Sequence, residues 1–261
     1  MNKKNIFQRY LFRKDFFWKV KEKLFWFIRN NSRNAFKDQM ILLKNLENGI
    51  IIDVGAHIGD TVKLYRNYFP GYKIFCFEPF SDSCGYLKKR FINDSNITTV
   101  ERALGSKVET KSLYVSNFSN LNSLQRPNER AWGFADEKSV DVETITLDQF
   151  CLENDIKQID ILKLDVQGSE LDVLMGSETL LEKGNISLVY VEWQVVPLYE
   201  NHHKYFKIAE FLAGYEYEFF NLYNINESRS GQIRWADAIY TSKEIRDKML
   251  TQFGEGAGSG W

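Results

Sequence analysis

Apolar and polar positions follow two rhythms along the chain. Residues 50–54 (IIIDV), 73–77 (KIFCF), 97–101, 159–164 and 186–191 are short, largely apolar runs. Runs of this length without regular polar alternation predict strands buried on both faces. Between them, apolar residues recur at helical spacing. In residues 60–69, Val62, Tyr65 and Phe69 share one face, and Pro70-Gly71 stops the helix. Further helices are predicted over residues 83–91, 169–181 and 205–213, the second with Leu171, Leu174, Met175 and Leu181 inward. Strand, helix and strand in alternation imply right-handed crossovers and a parallel sheet covered on both sides. Two late strands, 215–222 and 235–240, are joined by the polar stretch 223–234, which predicts a closing antiparallel pair. The expected fold is therefore α/β, doubly wound and mostly parallel.

The rhythm breaks in three places. Residues 106–145 are polar and too long for a plain connection, so they should carry structure of their own. Residues 113–115 and 140–145 alternate enough for a small β insertion, an extra hairpin. A Gly-rich tail, 246–261, is expected to be flexible. Residues 1–47 form a basic aromatic arm ahead of a domain spanning 48–245. Its first 37 residues hold eleven Lys and Arg against Asp15 and Glu22. Phe17, Val20, Leu24, Phe27 and Ile28 fall at helical spacing among Lys19, Lys21, Lys23 and Arg29. Such a helix suits either peripheral contact with an anionic membrane or packing on protein, including self-association through residues 15–30. The rest of the chain holds 23 basic and 33 acidic residues, which argues against a nucleic-acid surface. No apolar run approaches the roughly 20 residues of a membrane span. The three cysteines include no CxxC pair, so neither a disulfide framework nor a thiolate metal site is expected. The expected location is the cytoplasm, with the inner membrane surface as the place a bound arm would hold it.

The candidate chemistry lies where the first strand ends, in Asp53 to Gly59 (DVGAHIG). In a doubly wound sheet, ligands sit beyond the carboxyl ends of the strands at the switch point. Gly55 and Gly59 allow close approach of a ligand, and the loop runs into a helix start that Asp60 or Thr61 can cap. Dinucleotide loops read GxGxxG, whereas this loop is GxxxG with Asp53 just before it. A carboxylate there repels a pyrophosphate and attracts the ammonium of a methionine moiety, directly or through water. The loop therefore favours S-adenosylmethionine over NAD, and Asp53→Ala should abolish its binding. Glu78, 25 residues further on, ends the second strand and suits the ribose hydroxyls. Ala103 and Leu104, expected to end the third strand, suit adenine. Asp165 ends the fourth strand, where it faces the methionine part or substrate, or caps the following helix.

Together IIDVGAHIGDT, FCFEP, the ERALG turn, NFSNLNSL, VETITLDQF and LKLDVQGSELDVLMG resemble the FkbM family of S-adenosylmethionine-dependent methyltransferases, over roughly residues 48–240. The resemblance implies a seven-stranded, Rossmann-like class I methyltransferase sheet and O-methylation of a sugar, glycan or secondary-metabolite hydroxyl. It implies cofactor positions at Asp53, Gly55, Gly59, Glu78 and Asp165. His57 and Thr61, in and beside the loop, complete the expected cofactor set with Ala103 and Leu104. Two residues depart from the family pattern. His57 stands where Asn is common, and Gln167 where Glu is frequent. Glutamine hydrogen-bonds but has no useful basicity. Asp165 and Glu192 are the candidate bases, with His202 and His203 as further imidazoles. Asn122, Ser123 and Gln167 are candidate substrate contacts. Asp165 and Glu192 could share a divalent cation, but no third ligand declares itself, so no metal is assigned. The competing readings are an NAD-dependent oxidoreductase, which would need the missing GxGxxG, and a binding module that keeps the fold without catalysis.

Overall fold

A computed structural model of the chain describes residues 34–44, 47–131, 133–134, 138–200 and 204–253. The proposed arm helix at 15–30, the tail beyond 253, and His202 and His203 lie outside the described residues. Seven strands form the main sheet: β1 Ile50–Val54, β2 Lys73–Phe77, β3 Ile97–Val100, β7 Ile159–Leu164, β8 Ile186–Gln194, β9 Glu218–Glu227 and β10 Ile233–Thr241. Their order is β3-β2-β1-β7-β8-β10-β9. All neighbours from β3 to β8 pair in parallel, and β10 is antiparallel to both β8 and β9. The expected doubly wound sheet with its closing antiparallel pair is present.

Period-2 alternation divides each central strand between two cores. Ile52, Val54, Leu162, Leu164, Val189 and Val191 fill one. Ile51, Ile74, Ile161, Leu188 and Ile239 fill the other. The second core is covered by α1 (Ala35–Leu42), α2 (Asp60–Tyr68), α3 (Ser81–Arg90) and α8 (Lys243–Phe253). Helices α4 (Leu147–Glu153), α5 (Glu170–Met175), α6 (Glu178–Glu182) and α7 (Tyr205–Gly214) cover the first. Among the described residues, no helix is long and apolar enough to cross a membrane.

Four expectations need correction. The single helix over 169–181 is two helices, parted at Gly176-Ser177. Gly176 passes so close to the second sheet that a Cβ would lie 2.1 Å from Gly105 O. Asp148 then caps the new start, accepting from Thr179 N at 2.8 Å and Leu180 N at 3.1 Å. The break turns Met175 outward, and it is 43% exposed. The polar connection 223–234 shrinks to a tight turn at 228–232, because β9 and β10 pair almost to their ends. Ala103–Leu104 does not end β3. It is β4 of a separate sheet ordered β4-β6-β5, with β5 Glu109–Tyr114 and β6 Ser139–Ile145. The insertion is thus a three-stranded sheet rather than a lone hairpin.

The segment after β5 folds back over the main sheet. A bridge joins Tyr114 to Ser123, and another joins Pro127 to Tyr199 beyond β8. Ser123 Oγ donates to Gln167 O at 2.6 Å. A 3-10 turn, Ser119–Leu121, lies in this roof above the carboxyl ends of β1 and β7.

Candidate active site

Strand order reverses between β1 and β7, which opens a crevice beyond their carboxyl ends. Two cavities lie there and share Asn120, Asp165 and Gln167 in their walls. The first is lined by Gly55, His57 and Glu78, and by an apolar slot of Phe77, Ala103, Leu104, Leu113 and Leu124. The second encloses about 280 Å³ between Glu192, Gln194, Leu121, Val196, Leu198 and the Arg234-Trp235 pair.

In the first cavity, the Glu78 carboxylate is already half used. Its Oε2 accepts from His57 N and its Oε1 from Phe80 N, each at 2.9 Å. Each oxygen keeps a lone pair, which is what a ribose diol requires. Burial pushes the Glu78 carboxyl up to about 7, against the pull of those two N–H groups. His57 has φ 50°, and its Nε2 lies 2.7 Å from Ser119 Oγ, spanning from the glycine loop to the roof. Burial lowers the His57 pKa against the opposing pull of Asp60 and Asp165, which favours the neutral ring. Asn122 Oδ1 accepts from Ser116 N at 2.9 Å, which leaves its buried Nδ2 without a partner at this wall. The cavity encloses about 60 Å³, whereas small-molecule sites usually hold roughly 300 Å³ or more.

Six of the nine expected cofactor positions line this cavity: Gly55, His57, Glu78, Ala103, Leu104 and Asp165. Three do not. Gly59 has φ 85°, and a Cβ there would meet Leu87 and Phe91, so it serves helix packing. Thr61 lies inside α2, and neither it nor Asp60 caps that helix, whose N-cap is Gly59. Asp60 instead pairs with Arg90 at 2.7 Å. Asp53 is 0% exposed and points into the core beneath the loop, 3.4 Å from Lys163 Nζ. A methionine ammonium cannot reach it directly.

Lys163 is the largest omission of the sequence reading. It is 6% exposed and also lies 3.3 Å from Asp165 Oδ2. Burial disfavours its ammonium, yet Asp165 and Asp53 outweigh that and hold its pKa above the usual lysine value. The signal for it was a charged residue inside an apolar strand run, where charge persists only when paired.

Gln167 joins the two cavities. It has φ 53° in the turn after β7. Its Nε2 donates to Asp165 Oδ1 at 2.8 Å and to Glu192 Oε2 at 3.2 Å. Its Oε1 accepts from Gln194 Nε2 at 3.1 Å and shares the Tyr199 hydroxyl proton, at 3.2 Å, with Leu121 O. The amide donor thus lies where a cation shared by Asp165 and Glu192 would sit. Among the described residues, no group of three His, Cys, Asp or Glu is placed to hold a metal ion. Burial, with Asp165, Glu170 and Asp237 nearby, raises the Glu192 pKa well above the carboxylate range. Gln194 Nε2 also donates to Glu192 Oε2, so both amide bonds fall on one oxygen and Oε1 is left to the cavity. Of the three expected substrate contacts, only Gln167 lines the second cavity. Asn122 lines the first, and Ser123 is buried behind the wall.

Asp165 does not cap the helix after β7. Glu170 holds that turn, accepting from Val166 N and Gly168 N at 3.1 Å each. Burial pushes the Glu170 carboxyl up to about 7 against those bonds. A carboxyl with a raised folded-state pKa stabilises fully below its unfolded value and loses that contribution as pH rises through the folded one. Wild-type stability should therefore fall by about 3 kcal/mol relative to Glu170→Gln between pH 4 and 8. Urea unfolding of both proteins across that range checks this, and parallel curves would refute it.

The family model for the methyltransferase FkbM domain matches residues 53–219, which hold the glycine loop, the roof and Gln167. The chain belongs to the FkbM methyltransferase family. It is 25% identical over 189 residues to the 2-O-methyltransferase NoeI of Sinorhizobium fredii, covering 68% of this chain and 76% of that one. It is 31% identical over 174 residues to the methyltransferase sdnD of Sordaria araneosa, covering 55% and 66%. Among solved structures, the magnesium protoporphyrin IX methyltransferase of Synechocystis PCC 6803 is 10% identical, with 79% and 77% coverage and a TM-score of 0.46. As an FkbM-family enzyme, this chain catalyses methylation that depends on S-adenosylmethionine. The residues fit that cofactor: the Glu78 lone pairs, the apolar slot and the partnerless Asn122 Nδ2 converge on one cavity. Both departures from the family pattern, His57 and Gln167, lie in the cavity walls. Glu170, Gln194 and Tyr199 join Lys163 among the residues the sequence reading passed over.

Proposed function

We propose that this FkbM-family methyltransferase acts on oxygen, holding S-adenosylmethionine in the first cavity and an acceptor hydroxyl in the second. The observation that carries this reading is the shared wall of Asn120, Asp165 and Gln167, across which the two ligands would meet. The NoeI relative, named a 2-O-methyltransferase, supports oxygen as the methylated atom. When bound, S-adenosylmethionine supplies a methyl group already activated on a sulfonium. The protein's part is then alignment and exclusion of water. Glu78 accepts the ribose hydroxyls, and the Phe77–Leu104 slot takes adenine. Leu121, Val196, Leu198 and Trp235 shield the second cavity. Glu192 Oε1, left open because both amide bonds fall on Oε2, is placed to take the acceptor's proton when the carboxyl is ionised. The mixture of carboxylates, amides and one tryptophan suits a sugar, glycan or other polyol hydroxyl.

The test has two stages. Calorimetric titration of the full chain with S-adenosylhomocysteine and with NAD should show binding of the first alone. Methyl-labelled cofactor is then offered with a panel of mono- and oligosaccharides, and the products are analysed for methyl ethers. Binding of NAD without the homocysteine nucleoside would sink the cofactor assignment. Label appearing on nitrogen or carbon would sink the oxygen assignment.

A further inference from the structure

The buried charges beneath the glycine loop have a role that neither cavity explains. Strand β7 alternates Leu162 and Leu164 into one core, so Lys163 faces the other. There its ammonium sits between Asp53 of β1 and Asp165 at the strand tip, at 3.4 Å and 3.3 Å. Lys163 and Asp53 line neither cavity. Both Asp53 oxygens lack a hydrogen bond altogether. Burying an ion pair costs several kcal/mol per ion, and apolar residues of similar volume often serve the fold as well or better. The pair is thus a poor device for stability alone.

Its geometry gives it another use. Asp165 lines both cavities. Lys163 holds Oδ2 of that carboxylate from below, while Gln167 Nε2 holds Oδ1 from the side at 2.8 Å. A carboxylate gripped at both oxygens keeps one orientation. We propose that Lys163 is a positioning residue, seated between Asp53 and Asp165, that fixes the Asp165 carboxylate at the wall shared by the two cavities. Asp53 serves the cofactor only through Lys163, as the counter-charge that keeps an ammonium in the core. The proposal rests on the reading of the first cavity as the S-adenosylmethionine site.

A charge-balanced variant tests it. Lys163→Met alone leaves Asp53 buried without its partner and should lower the thermal midpoint. Adding Asp53→Asn removes one charge of each sign, so the net charge of the site is unchanged and the midpoint should recover. Affinities for S-adenosylmethionine and S-adenosylhomocysteine are then measured by calorimetry. The two ligands differ in the sulfonium charge. If Asp165 is no longer held, the charged ligand loses at least tenfold in affinity and the neutral one less than threefold. A purely structural role would weaken both alike or neither, and a ratio within twofold of wild type in the pair would overturn the proposal. Asp165 is 37% exposed, so Asp165→Asn leaves the core intact. It must shift the ratio in the same direction, and an unchanged ratio there overturns the proposal however the pair folds. Added to the pair, it should produce no further change, because the carboxylate would already be loose. Wild-type protein that binds neither ligand would instead refute the cofactor reading itself.

Discussion

Gly55→Ala is expected to abolish cofactor binding and to cost the fold about 3 kcal/mol or more. Gly55 has φ 79°, where a side chain is strained, and a Cβ there would lie 1.9 Å from Asp165 O. Neither strand can yield. Gly55 N and Ala56 N both donate to Phe77 O at 3.0 Å, which ties the loop to β2. Asp165 N donates to Val54 O at 3.1 Å, which ties β7 to β1. A methyl group must therefore push apart the two strand ends that form the crevice, and it displaces Asp165 as it does so. Urea unfolding gives the first quantity and titration with S-adenosylhomocysteine the second. A variant with near-wild-type values in both would show that the loop has slack the structure does not contain.

The second large effect is expected at Glu78. Glu78→Ala should weaken S-adenosylhomocysteine binding by at least about 150-fold, the low end of about 1.5–3 kcal/mol for each of two lost hydrogen bonds to a charged group. The substitution also strands His57 N and Phe80 N, the two donors the carboxylate now satisfies. His57 would lose its anchor and with it the contact to Ser119 across the roof. Glu78→Gln separates the two causes. The amide oxygen keeps one backbone bond but cannot accept from both ribose hydroxyls, so its affinity should fall between the other two. Calorimetry of the three proteins checks the order, and equal losses in both variants would assign the effect to the loop alone.

What was legible in the sequence follows the range of the forces involved. Strands β1, β2 and β7 were legible because burial on both faces leaves a largely apolar run without regular polar alternation. Gly55, Glu78 and Asp165 followed from topology, since a doubly wound sheet places strand ends at its crevice. The burial of Asp53, which removes direct contact with a methionine ammonium, was not legible because its partner, Lys163, stands 110 residues away and becomes its neighbour only through β1–β7 pairing. The break at Gly176 is set by Gly105, just beyond β4, which helical periodicity cannot register. Asn122 and Ser123 are adjacent, yet one faces a cavity and the other is fixed to Gln167 O behind the wall. A polar stretch with no regular period gives no means of telling them apart in advance. Asp165 does not cap the helix after β7, because Glu170 reaches back to hold the turn between them.

The three buried cysteines have a practical consequence for anyone handling the enzyme. Burial pushes the Cys84 thiol up to about 11 and the Cys151 thiol up to about 12, and raises Cys76 well above its usual value. Thiolate, not thiol, reacts with alkylating reagents. The native protein should therefore react slowly with maleimide dyes at neutral pH, all three thiols being buried, so that a cysteine-free background need not be built first.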